Sequence, residues 1–139
     1  MALIALTTAA RVEVVESLEQ MTLPADESIT PGAPVRLNTS TGKFTNANGT
    51  AAGEARVYGI AVGTHIVIAG MPVTAVRQGV LDGFVFTQDY DADIFVSDTD
   101  GRLGDAVGTV SLVVGKIVPG SAEVLGGAYA KMLMVEVNL

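Results

Sequence analysis

Short apolar runs, many alternating with polar residues, recur along the chain with turn residues between them. This rhythm predicts an all-β fold, a small β-barrel or β-sandwich. The alternation is clearest at the C-terminus, where Leu133, Val135, Val137 and Leu139 share one strand face. Met132, Met134, Glu136 and Asn138 share the other, so this strand is expected to be partly covered on both sides. Further strands are expected over 56–62, 65–69, 73–77, 84–88, 93–97 and 110–118, with shorter ones over 35–37 and 43–45. Turns are expected at Pro31-Gly32, Thr41-Gly42, Asn48-Gly49, Asp82-Gly83, Asp100-Gly101 and Pro119-Gly120, because Gly supplies positive φ and Asn or Asp tolerates it. The polar stretch 38–53 is expected to form an exposed hairpin or loop.

The N-terminal part is ambiguous. Residues 11–15 alternate like a strand, whereas Val14, Leu18 and Met21 keep helical spacing. A strand or extended arm is expected ahead of a helix, since Val-rich stretches start poorly as isolated helices. Residues 1–10 hold Leu3, Ile4 and Leu6 but show no pattern that ties them to a core. They are expected to form an extended N-terminal arm, either ordered by a partner or left as a disordered terminus. Residues 11–139 then make a single β-rich domain.

Composition narrows this picture. With 139 residues, 49% hydrophobic and 17% charged, the chain can bury one ordinary core and is not expected to be disordered. Having no Trp, four Phe and three Tyr, it must build that core from aliphatic residues. Eight basic against fifteen acidic residues give a net charge of -7, which repels a phosphate backbone, so no nucleic-acid partner is expected. Cysteine is absent, which removes disulfides and thiolate chemistry. The opening residues lack a basic n-region, and no apolar run reaches the length of a membrane span. The expectation is a soluble protein made in the cytoplasm, with no membrane partner.

Candidate chemistry is sparse. Asp91, Asp93, Asp98, Asp100 and Asp105 crowd one stretch, which raises a calcium reading. Placing Gly101 at position six of an EF-hand loop puts Asp98 and Asp100 at three and five, but Val96 falls at one and no Glu stands at twelve. A solvated acidic turn is favoured over a looser calcium site. Asp98-Thr99-Asp100-Gly101 is also close to the Asp-Thr-Gly loop of aspartic proteases, yet Asp100 replaces the first Gly after Thr and would crowd charge beside a shared-proton dyad. His65 is the only histidine, so it cannot make a triad or a multi-histidine metal site. No nucleophile elbow, P-loop or dinucleotide fingerprint occurs. The Asn-x-Ser/Thr matches at Asn38 and Asn48 signify polar loops in the absence of a secretory signal. The expectation is a protein that is not an enzyme, with no metal and no cofactor.

Several strings carry a resemblance that spans roughly Val12 to Val137: PGAPVRLNTSTGKFTNA from Pro31, ARVYGIAV from Ala55, VRQGVLDGF from Val76, YDADIFVSDTDGRL from Tyr90 and VGTVSLVVGKIVPG from Val107. In their order and extent they resemble the capsid cement, or head decoration, proteins of tailed bacteriophages. The resemblance implies a β-rich domain on the outer capsid surface of an icosahedral virion, synthesised in the host cytoplasm and commonly a homotrimer. Its partners would be the major capsid protein and its own copies, with neighbouring capsid subunits tied together. The stretch 65–72 is more apolar than the family pattern suggests, which makes Ile66, Ile68 and Met71 candidate capsid contacts if exposed. Leu3, Ile4 and Leu6 are the corresponding candidates in the arm. The alternative is a carbohydrate- or receptor-binding β-module on a virion surface. Sugar sites favour aromatic platforms, and only Tyr58, Tyr90 and Tyr129 are widely spaced along the chain. A dimeric aspartic hydrolase built on Asp98 is a third reading.

Overall fold

A computed structural model of the chain describes residues 2–123 and 129–137, with side chains described outside 121–130. Among the described residues there is no helix, and the strands form a curled, antiparallel half-barrel. The strands are β1 (Ala5–Leu6), β2 (Glu13–Pro24), β3 (Pro34–Leu37), β4 (Phe44–Asn46), β5 (Gly59–Val62) and β6 (Pro72–Asp82), followed by β7 (Phe84–Val85), β8 (Asp93–Val96), β9 (Leu103–Gly104), β10 (Val113–Glu123) and β11 (Tyr129–Glu136). The main sheet runs β4-β3-β5-β6-β11-β10-β8-β9, and β1 pairs with β7 in a small second sheet.

β6 is the hub of the main sheet. Residues 74–76 pair with β5, residues 78–81 pair with β11, and β2 lies along the whole strand from Glu13↔Asp82 to Pro24↔Pro72. Because a strand residue has only two hydrogen-bonding edges, β2 occupies the edge that β5 and β11 leave free.

The sheet feeds two cores. Ile60 and Val76 join a larger cluster with Ile94, Ile117, Leu133 and Val135, while Ala61 and Ala75, one residue away, join a smaller one with Ile29, Val35, Phe44 and Tyr58. This is the period of two expected of a sheet covered on both faces. β6 breaks that period once. Its ladder with β2 steps from Gln78 to Val76, so Arg77 is an extra residue, and beyond it Leu81 falls on the face of Val76 rather than that of Ala75. A one-residue bulge moves every later side chain to the other face, and here it brings Leu81 into the larger core. Gly79 is also required at this crossing. A Cβ there would stand 2.2 Å from the Glu16 carbonyl oxygen.

The C-terminal strand matches its expected pattern. Leu133, Val135 and Val137 are buried, and Met132 and Met134 on the other face are half-buried. Leu139 and Asn138 lie outside the described residues. The N-terminal ambiguity resolves to strand, since 13–24 pairs with β6 throughout.

Three expectations are corrected. Residues 65–69 are not a strand; Val67 makes a single bridge with Ile29. Pro119-Gly120 is not a turn but lies within β10, where Pro119 pairs with Lys131. β8 pairs with β10 only through Lys116, so Pro119 has no second neighbour and its missing N–H costs no ladder bond. The 1–10 arm is extended as expected, but from Ala2 onward it is docked. β1 pairs with β7, Leu3 bridges Gly104, and Ile4, 5% exposed, belongs to the larger core. The alternation of outward Leu3 and Ala5 with inward Ile4 and Leu6 is the signal that ties this segment down.

Candidate functional site

Three elements present the apolar candidates. In the N-terminal segment, Leu3 is exposed, Leu6 is half-buried against the larger core, and Ile4 is inside it. Of the arm candidates Leu3, Ile4 and Leu6, only Leu3 is therefore exposed, at 40%. Asp105 holds the start of the segment. Its carboxylate accepts the Ala2 amide at 2.8 Å and the Gln88 amide at 3.3 Å, and the Asp105 N–H donates to the Ala2 carbonyl at 3.1 Å. These donors, the Ala2 amide foremost, lower the Asp105 pKa. A groove of about 450 Å³ runs beside the segment, lined by Ile4, Leu6, Phe84, Asn46 and Arg102 among others.

The second element is the loop 64–71. The Val67 N–H and carbonyl pair with Ile29 at 2.9 and 2.8 Å, which turns the Val67 side chain inward against the smaller core. Its neighbours must then point away, and Ile66 and Ile68 are 51% and 62% exposed. Gly70, at φ 88, closes a turn in which Met71 donates to Ile68, and Met71 is also exposed. The loop thus carries Ile66, Ile68 and Met71 as exposed apolar side chains within six residues, and His65 beside them is exposed as well.

The third element is β2, whose twelve residues are exposed except for half-buried Leu23. Its ladder with β6 slips twice on its own side, between Val14 and Glu16 and between Ser17 and Glu19. The two extra residues are Val15 and Leu18. An extra residue in a bulge is left out of the pairing, and these two are 55% and 67% exposed, Leu18 being the most exposed large apolar side chain described. The helical spacing of Val14, Leu18 and Met21 in the sequence concealed this. Exposed β-branched and long apolar residues look alike in either element until the bulges are known.

The carboxylates of 91–105 do not converge. Asp91 pairs with Lys116 at 2.8 Å, Asp100 accepts from Asn48 at 3.0 Å, and Asp105 holds Ala2. Asp98 accepts both the Thr109 amide at 2.8 Å and the Thr109 hydroxyl at 2.7 Å, which lowers its pKa. Gly49 and Gly108 press against it, so close that a Cβ on Gly108 would lie 2.5 Å from its Oδ1. Asp98 thereby staples three loops together. Among the described residues no group of three or more His, Cys, Asp or Glu is placed to hold a metal ion. Tyr58 is buried against Phe44, Tyr90 is exposed with the Lys131 ammonium 5.2 Å from its ring centre, and the Tyr129 side chain lies outside the described residues.

Compared with protein-family models, curated proteins and solved structures, the chain matches none.

Proposed function

We propose that this protein is a capsid cement protein, which binds the outer surface of an icosahedral tailed-phage head through apolar side chains and ties neighbouring capsid subunits together. The observation that carries this reading is the exposure of Ile66, Ile68 and Met71 on one short loop in which Val67 is pinned inward. A folded chain gains nothing from three large apolar side chains held in water, whereas a protein interface draws its energy from such anchors within a polar rim. The resemblance of the strings from Pro31 onward to head decoration proteins supplies the partner, the major capsid protein. The net charge of -7 suits a position away from packaged nucleic acid. An antiparallel sheet with a core on each face is consistent with a rigid scaffold, and symmetry would multiply its weak contacts. The expected assembly on the shell is a homotrimer at the three-fold positions that icosahedral symmetry supplies.

The test is binding to heads prepared without the protein. Added protein should coat them and raise the temperature at which they rupture, and Ile66→Ser with Ile68→Ser should reduce coating while leaving the domain folded. Heads that bind no protein and rupture at an unchanged temperature would refute the reading.

A further inference from the structure

One motif carries chemistry of its own that needs no partner. Asn48-Gly49 is the only Asn-Gly pair in the chain. In a flexible segment the amide nitrogen of such a glycine attacks the asparagine side-chain carbon readily, because no Cβ hinders the approach or restricts the backbone conformation it needs. The other asparagines precede Thr39, Ala47 and Leu139, whose side chains obstruct the same step.

The fold commits both reacting groups elsewhere. Gly49 is buried; its N–H donates to the Ser97 carbonyl at 2.7 Å and its carbonyl accepts the Val110 N–H at 2.7 Å. The Asn48 Nδ2 donates to Asp100 at 3.0 Å, while its Oδ1 accepts the Thr50 N–H at 3.0 Å and the Thr50 hydroxyl as well. Ser97 and Val110 are the chain neighbours of Asp98 and Thr109, so the two hydrogen bonds that Asp98 accepts from Thr109 close the slot in which Gly49 lies. For the attack, the Gly49 N–H must leave Ser97 and the Asn48 side chain must swing off Thr50 and Asp100. That requires local opening of the junction.

We propose that Asn48 is a latent modification site, kept as an amide by the junction of 48–50, 97–100 and 108–110 and converted to aspartate and isoaspartate when that junction opens. The Gly49 nitrogen bonds to Asn48 Cγ as it gives up its proton, the Cγ–Nδ2 bond breaks, and ammonia leaves a succinimide behind. Water, the one co-reactant, then opens the ring. Addition at the side-chain carbonyl gives aspartate, and addition at the main-chain carbonyl gives isoaspartate, whose backbone is longer by a methylene. Either product sets a carboxylate against Asp100 where a hydrogen-bond donor stood, so like charges oppose reclosure. The modification is therefore a one-way record of opening, independent of what the protein binds.

The experiment incubates the full chain at mildly alkaline pH in native buffer and in guanidinium chloride, and follows Asn38, Asn46 and Asn48 by peptide mapping with mass spectrometry. In guanidinium chloride Asn48 should be lost first of the three, and in native buffer its loss should be slower by roughly tenfold or more. Asp98→Ala should speed that loss several-fold in native buffer while leaving Asn38 unchanged, and should match the parent in guanidinium chloride. Thr109→Val, which removes only the hydroxyl donor, should act in the same direction and serves if Asp98→Ala does not fold. Loss of Asn48 as fast in native buffer as in guanidinium chloride, or unchanged by both variants, would overturn the proposal. An increase shared equally by Asn38 would show general unfolding in place of a local opening, and would overturn it too. If Asn48 trails Asn38 or Asn46 in guanidinium chloride, it is not the site.

Discussion

Arg77 of β6 donates from Nη1 to both carboxylate oxygens of Glu19 on β2, at 3.0 and 2.9 Å, at the step where the ladder between those strands slips. The extra residue in β6 is thus the one that grips β2. Its side chain is 24% exposed and that of Glu19 47%, so solvent screens the pair substantially. Arg77→Ala is expected to cost no more than about 1 kcal/mol by denaturant titration. The larger effect should be faster amide exchange in β2 than in β11.

Gly79 admits no side chain at its present position. Gly79→Ala places a methyl group against the Glu16 carbonyl, so β2 must move or β6 must distort. The expected loss is about 2–3 kcal/mol, measured by chemical denaturation. Because the clash is with β2, exchange protection should fall there first.

Ile4 is expected to behave as a core residue. Ile4→Ala should lower stability by about 2–4 kcal/mol, whereas Leu3→Ala, at an exposed position, should stay within about 0.5 kcal/mol. Deleting residues 1–10 should therefore destabilise the domain as well as shorten it. A melting temperature unchanged by Ile4→Ala would show that the segment is not docked in solution.

Acid should release the same segment. The folded Asp105 pKa lies below its ordinary value of 3.8, as does that of Asp98. A lowered carboxylate pKa contributes stability that is fully present above the unfolded value and is lost as pH falls through the folded one. The protection factor of the Ile4 amide should stay high near neutrality and fall below about pH 4. Asp105→Asn should remove that pH dependence.

Asp98 is expected to act as a structural staple. Asp98→Ala removes both acceptors of Thr109, and the Thr109 amide should exchange roughly tenfold faster with a lower melting temperature. Asp100→Ala, which loses one contact with Asn48, should have the smaller effect.

The all-β class and the C-terminal strand were legible because Leu133, Val135 and Val137 alternate without interruption. β6 was legible only as far as Arg77, because a bulge reverses the face of every residue after it and leaves no mark in composition. The 65–69 stretch looked like a strand for a related reason. Its apolar content is high, yet only Val67 finds a pairing partner, the single distant residue Ile29. For the candidate surface, the sequence pointed to Ile66, Ile68 and Met71 by their excess of apolar character. It could not point to Val15 and Leu18, whose exposure depends on how β2 registers against β6.

The place of β6 also governs the order in which the molecule can assemble. Its two edges are filled by β2 from near one end of the chain and by β11 from near the other. Such pairings close long loops before they return any stabilisation, which slows folding into the millisecond-to-second range. Until β11 arrives, half of one edge of β6 stands open from Gln78 to Leu81, without Leu133 beside Leu81. A nascent or truncated chain lacking that last strand holds β2 and β6 as a sticky ribbon, the state in which this protein is most exposed to aggregation.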